Sequence, residues 1–302
     1  MRLKLDSVLY SAIYKLRTRL NRHGGVQFCI RRLPCTHPGR VRQRNEDGSL
    51  VLQWEITGTG ATTLPIVLAA VADGMGGYTN GHIASVMTVR TLAMEVIGGL
   101  SVLPWEEAPG RDALAAVLQD AIATCAARVN QAITSGYGPM GSTLAVALVY
   151  GRRLLVANVG DSRVYVMHKG LQQITVDHSV VAEMVSRGEL TPLEAHTHPR
   201  RNEVYRAIGF GRPPQADLFD RELEAGDVLL LCSDGLHAMV SDPDLSAVLM
   251  QDRPLAARCQ ALVDLANTAG GVDNITTVAI QIVGTPGPSG TAPMAPPEGG
   301  AD

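Results

Sequence analysis

The apolar positions of this chain follow two periods in turn. Near the start, Leu5, Leu9, Ile13, Leu16 and Leu20 recur three or four residues apart with Lys15, Arg17, Arg19 and Arg22 between them, so residues 1–22 read as an amphipathic helix. Strand-like runs come next, Ser49 to Trp54 and the unbroken apolar stretch Leu64 to Ala72, the latter stopped by glycine. Helical spacing then returns over His82 to Ile97 and Arg111 to Ile133, where Leu114, Leu118, Ala121, Cys125, Val129 and Ala132 form one stripe. Four strand-like runs follow (Thr143 to Tyr150, Leu154 to Val159, Arg163 to His168, Leu171 to Thr175), separated by turn signals at Gly151 Arg152, Gly160 Asp161 Ser162 and Lys169 Gly170. Links this short are expected to join antiparallel neighbours, which makes the four a meander. The first of them is apolar at successive positions and so expects cover on both faces, as helices outside two stacked sheets would give.

From Asp177 to Arg212 the chain turns polar and reads as a lid over a site, with short helical pieces at Val180 to Arg187 and Pro192 to His196. The strand Asp227 to Cys232, the helix Pro254 to Ala269 and the strand Ile275 to Val283 complete the pattern. The fold class expected is α+β: two stacked, mainly antiparallel β-sheets flanked by helices, a four-layer αββα sandwich. The organisation expected is a basic N-terminal extension over 1–35, one catalytic domain over 36–284 with the lid at 177–212, and a disordered Pro/Gly-rich tail over 285–302.

Charge divides the same way. Residues 1–44 carry eleven Lys or Arg against Asp6 alone, a net of +10, which leaves −13 on the rest of a chain whose formal charge is −3. An acidic body is a poor nucleic-acid binder, and no nucleic-acid partner is expected. The basic stripe at 1–22 has three readings: packing on the protein's own body, docking to a partner or an anionic membrane surface, or an extension with little function. No run approaches the roughly 18 continuous apolar residues of a membrane span, and the N-terminus lacks the compact apolar core of a secretory signal. Five widely spaced cysteines suit a reducing, cytoplasmic setting, and none has zinc-site spacing.

The chemistry lies in acidic turns at strand ends. Asp73 follows the apolar run and opens Asp73 Gly74 Met75 Gly76 Gly77; Ser233 Asp234 Gly235 repeats the pattern after a second apolar strand. Asp273 precedes the final strand, Glu46 and Asp47 precede another, and Asp161 sits in Val159 Gly160 Asp161 Ser162 Arg163. One such turn is ordinary; five on one sheet framework point to oxygen ligands converging on Mg²⁺ or Mn²⁺, since His and Cys companions are missing. Arginines beside Glu46 and Asp47 suit a site that holds a phosphate and a metal together. Cys232 reads as a buried strand residue and not as a nucleophile.

In their order these motifs resemble the metal-dependent Ser/Thr protein phosphatases, the protein phosphatase 2C or PPM family, in its bacterial form. The resemblance runs from about Thr36 to Val283 and rests on Gly39 to Asp47, Asp73 to Gly77, Met140 to Thr143, Val159 to Arg163, Thr175 to Ser179, Arg206 to Gly209, Ser233 to Leu236 and Asp273 Asn274. It implies that Asp73 bridges two metal ions, with the Gly74 carbonyl on the second; that Asp234 and Asp273 complete the first; and that Glu46 and Asp47 serve the second, directly or through its waters. Asp161 with Asp234 would make a third-metal position, and Arg42 would grip the substrate phosphate, leaving Arg40 and Arg44 as solvated neighbours. The implied reaction is direct hydrolysis of phosphoserine or phosphothreonine by a metal-activated bridging water in a binuclear Mn²⁺ or Mg²⁺ centre, without a covalent intermediate. Phosphorylated proteins, a cognate Ser/Thr kinase and a part in signal transduction follow from the same resemblance.

Two positions depart from the family pattern. Met75 stands where many members have histidine, which removes a general acid there, and His37 replaces an aspartate. Two other readings use the same residues: a phosphatase of a non-protein phosphomonoester, and a non-catalytic metal-binding interaction module.

Overall fold

The computed structural model describes residues 28–55, 65–76, 80–104, 109–211 and 214–284, without the side chains of 28–33 and 284. The expected helix at 1–22, the tail at 285–302, and Gly77 and Arg212 at the ends of their motifs lie outside the described residues.

Two five-stranded antiparallel sheets form the middle. One takes β1 (Phe28–His37), β12 (Ile275–Gly284), β11 (Val228–Cys232), β8 (Arg163–Met167) and β9 (Leu171–Gln173) in that spatial order. The other runs β10 (Asp217–Glu222), β7 (Arg153–Val159), β6 (Leu144–Tyr150), β3 (Pro65–Ala72) and β2 (Gly48–Glu55). A two-stranded ribbon joins β4 (Gly74–Met75) to β5 (Gly141–Ser142).

Period-2 alternation sorts the side chains of the buried strands. In β3, Val67, Ala69 and Val71 face the other sheet and meet Val164, Val166, Leu229, Leu231, Val278 and Ile280. The intervening Ile66, Leu68, Ala70 and Ala72 face outward onto α1 (Gly81–Ser101) and α2 (Arg111–Ala132). Beyond the first sheet, α6 (Asp242–Leu249) and α7 (Leu255–Thr268) cover Tyr165, Leu230, Cys232 and Ala279. Three apolar layers therefore hold four structural ones, as the continuous apolar strands require. The shorter α3 (Val180–Ser186) and α4 (Pro192–Thr197) lie in the polar segment read as a lid; in α4 a capping box between Thr191 and Glu194 satisfies the first turn.

Three expectations are corrected. The domain begins at Phe28 and not at residue 36, because β1 pairs with β12 from Phe28↔Gly284 to His37↔Ile275. Pro34 is tolerated there because β1 is an edge strand and needs no second ladder. The four runs after Thr143 are no meander, since β6 and β7 pair in one sheet while β8 and β9 pair in the other. The short link Gly160 Asp161 Ser162 carries the chain across the sandwich, with Gly160 at φ +103°, where a Cβ would stand 2.7 Å from Thr143. The sequence reading also omits β10, whose polar residues mark an exposed edge, and two short helices, α5 (Asp234–His237) and α6.

Leu231 lies wholly buried between the sheets. Leu231→Ala is expected to lower the unfolding free energy by about 2–5 kcal/mol in urea titration; a loss below about 1 kcal/mol would mean that the layers do not close on this side chain.

Candidate metal centre and active site

Each acid of the expected set sits where a strand ends or begins, at one end of the sandwich. Asp73 follows β3, Asp234 follows β11, Asp273 stands two residues before β12, Asp47 immediately precedes β2, and Asp161 occupies the crossing between β7 and β8. Strand ends hold side chains to the accuracy of the sheet, and backbone bonds fix them further. The Asp73 N–H donates to Thr143 Oγ1 at 2.9 Å, and the Thr143 N–H donates to the Asp73 carbonyl at 2.9 Å. Thr143 Oγ1 is itself tied to Ser162 Oγ at 2.7 Å, beside Asp161. Ser233 Oγ donates to Asp47 Oδ2 at 2.8 Å and accepts from the Thr276 N–H at 3.0 Å.

Asn274 is the residue whose role the sequence reading missed. Its Nδ2 donates to the carbonyls of Pro38 and Arg44 at 3.0 and 2.9 Å, and its Oδ1 accepts from the Glu46 N–H at 2.8 Å. One side chain thus folds the 38–46 loop against the start of β12. His37 supports the same loop: its Nδ1 accepts from the Gly39 N–H at 2.9 Å, a turn contact that an aspartate oxygen would also make. The replacement of an acid by His37 therefore costs the loop nothing in hydrogen bonding.

The acids meet at close quarters. Asp73 feels the charges of Asp47, Asp234 and Asp161. Burial, followed by repulsion among the carboxylates, pushes Asp73 and Asp161 well above the usual aspartate range. Burial likewise raises Asp47 to about 7 against the help of Thr276 and Ser233, and raises Asp234 to about 6 with Asp273 adding to it. Asp47 Oδ1 and Asp234 Oδ1 are buried without a hydrogen-bond partner. Orphaned carboxylate oxygens among like charges fit hard divalent cations, which would satisfy both deficits. Among the described residues no three His, Cys, Asp or Glu side chains stand in a ready-made coordination geometry; the acids approach one another pairwise.

Glu46 faces a second cradle, beside the Gly74 carbonyl. A Cβ on Gly81 would stand 2.6 Å from the Gly74 carbonyl oxygen and 2.9 Å from Glu46 Oε2. Gly81, at the start of α1, thus leaves open the space where the carbonyl and the carboxylate converge, and sequence reasoning gave it no role. Gly74 is equally tied to its type, since a Cβ there would meet the Gly81 carbonyl at 2.2 Å. Arg42 closes the rim: its Nη2 donates to Asp273 Oδ2 at 2.7 Å while about half of its side chain stays exposed. That bond and the charges of Asp273, Asp234 and Asp73 hold it firmly protonated. Arg44 reaches His82 at 3.3 Å. Cys232 is fully buried, and burial pushes its thiol up, as suits a core residue.

The family model for protein phosphatase 2C matches residues 53–269. The chain belongs to the protein phosphatase 2C family. It is 35% identical over 253 residues to the serine/threonine phosphatase stp of Listeria monocytogenes, an alignment covering 82% of this chain and 93% of that protein. The serine/threonine phosphatase of S. agalactiae shares the fold at a TM-score of 0.72 and 33% identity, over 84% of this chain and all of that one. The catalytic domain of PstP, solved in complex with two manganese ions, superposes at a TM-score of 0.70 and 33% identity over 85% of this chain and all of that domain.

For this phosphatase, removal of metal leaves four acids with raised proton affinity, Asp161 buried and Asp47, Asp73 and Asp234 half-buried. Asp47 and Asp234 take up protons on folding, so the unfolded chain binds fewer protons between pH about 4 and 7 and stability must fall as pH rises through that window. Thermal melts of chelator-treated protein should show a higher Tm at pH 5.5 than at 7.5, a gap that Mn²⁺ closes; a metal-free Tm that climbs with pH would contradict the acid cluster. Gly81→Ala should cut the Mn²⁺-induced rise in Tm by half or more, while an unchanged rise would remove the second cradle from the site.

Proposed function

We propose that this serine/threonine phosphatase hydrolyses phosphoserine and phosphothreonine in proteins at a binuclear Mn²⁺ or Mg²⁺ centre, by direct attack of water on phosphorus. The observation that carries this reading is the cluster of buried and half-buried aspartates, two of them with a buried, unpartnered oxygen, capped by a half-exposed arginine. Asp73, Asp234 and Asp273 would hold one ion; Asp73, the Gly74 carbonyl, Glu46 and Asp47 would hold the other; and Asp161 with Asp234 offers a third position. When bound, such ions lower the pKa of water towards neutrality and offset charge on the phosphoryl oxygens.

The chain's own groups supply orientation and charge. Arg42 stands over the acids with donors to spare beyond its bond to Asp273, and a phosphate dianion would recruit them in a forked contact. Withdrawing Arg42 towards the phosphate leaves Asp273 free to face a cation, so substrate and metal reinforce each other's hold. Met75, in the ribbon with Gly141, carries no proton to give, and a water at the metal centre would protonate the leaving alkoxide. The segment 177–212 contributes its own rigid base, since Arg163 grips Asp177 through a forked pair at 2.7 and 3.0 Å.

The same reading places the protein in the cytoplasm, reversing a cognate Ser/Thr kinase in signal transduction. Four free cysteines among the described residues, three of them buried, support the reducing setting.

Hydrolysis of a phosphothreonine peptide should require Mn²⁺ or Mg²⁺ and stop with chelator. Asp73→Ala should lower kcat by about 10³ or more, and Arg42→Ala should lower kcat/KM by roughly 10²–10³. Turnover that survives chelation, or an Asp73→Ala variant as fast as wild type, would overturn the mechanism.

A further inference from the structure

The outer face of α1 carries an apolar stripe that is half-buried against the core at Ile83 and Met87 and exposed further along the helix. Ile83, Met87, Met94 and Ile97 recur at helical spacing, and Met94 and Ile97 are 52% and 45% exposed. Two clefts of about 420 and 530 Å³ run along this face and share Val86, Arg90 and Met94. One is bounded on its far side by Arg128 of α2; the other begins at Asp47, Gly48, Ser49 and Leu50, where the loop of the metal centre enters β2. The groove therefore leads away from the acid cluster.

The unpaired charge at the centre of the groove is basic, while Asp47 bounds one end and Glu95 offsets Arg128. Arg90, exposed at the centre, makes no hydrogen bond or ion pair with any described residue. Arg128 stands at one wall, tied to Glu95 at 3.4 Å, and His82 with Arg44 at the end nearest the site. An apolar floor around an unpaired guanidinium fits a segment that brings carboxylates together with apolar side chains. A basic or purely polar segment would leave one of the two unmatched.

We propose that this groove docks an acidic, apolar segment of the phosphoprotein substrate, away from the phosphorylated residue, with a carboxylate on Arg90 and an apolar side chain against Met94. The proposal rests on the phosphatase reading and adds the class of protein selected. Docking outside the site raises the effective concentration of the phosphorylated residue without entering the chemistry, so it acts on KM. Arg90 and Met94 belong to no part of the catalytic set, and both are exposed.

The test uses full-length phosphatase with Mn²⁺, wild type and Arg90→Glu, and two phosphothreonine peptides alike around the phosphorylated residue. One carries a distal Glu-Leu-rich segment and the other a distal Lys-Ser segment. Wild type should turn over the first with a kcat/KM about tenfold higher, through KM. Arg90→Glu should abolish that preference while p-nitrophenyl phosphate hydrolysis stays unchanged. Equal kcat/KM for the two peptides in wild type, or a preference that survives Arg90→Glu, would overturn the docking site. Direct binding of the unphosphorylated Glu-Leu peptide, read by fluorescence anisotropy, separates the two readings. Binding lost in Arg90→Glu supports the groove even where wild type hydrolyses no phosphoester, an outcome that would sink the phosphatase reading alone; no binding to wild type sinks the groove.

Discussion

The crowding of desolvated carboxylates at one rim of the sandwich is the constraint around which this molecule is built. Asp47, Asp73, Asp161 and Asp234 stand close enough to raise one another's proton affinity, in surroundings that already penalise charge. Left to itself such a cluster would spread apart, so its members are held at strand ends, Asp73 through backbone bonds to Thr143 that do not depend on its charge. The three apolar layers supply the free energy that offsets this local cost, and the site sits at the rim of the sandwich, where a cation can reach it. Stability and function are thus opposed at one end of the fold and reconciled by whatever positive charge arrives.

The anchoring explains why so much of the specificity is carried by small or neutral residues. Thr143 holds Asp73 from the neighbouring strand, Ser233 holds Asp47, and Asn274 gathers three backbone groups of the 38–46 loop. Gly74 and Gly81 contribute only the absence of a side chain, which lets a carbonyl and a carboxylate approach one point. Arg42 is poised differently: its partner is an acid of the cluster, so its position depends on what occupies that cluster.

How much of this could be read in the chain follows from the range of each interaction. Strands such as β3 and β11 and the helices α1 and α2 declare themselves through local periodicity, and their acidic ends mark the site because aspartate after an apolar run needs a reason. The allegiance of β8 to the other sheet leaves no local mark: Gly160 Asp161 Ser162 looks like any tight turn, and only the pairing of β8 with β11 shows the crossing. β1 is masked by its arginines and Pro34, which an edge strand tolerates and a central one would not. Gly81 and Asn274 escaped because their roles are relations to residues distant in sequence, Glu46 and Gly74 for one, Pro38 and Arg44 for the other. His37 shows the converse, a residue that looked anomalous and performs the expected turn contact through a ring nitrogen.

The pairing of β1 with β12 has a topological consequence. Phe28 and Gly284, the first and last residues of the domain, are direct antiparallel partners. The folded body is therefore almost a closed ring, and a linker of a few residues could join its ends without disturbing a strand. New termini could then be opened at an exposed turn far from the acids, such as Lys169 Gly170 between β8 and β9, giving a circular permutant with the metal centre intact.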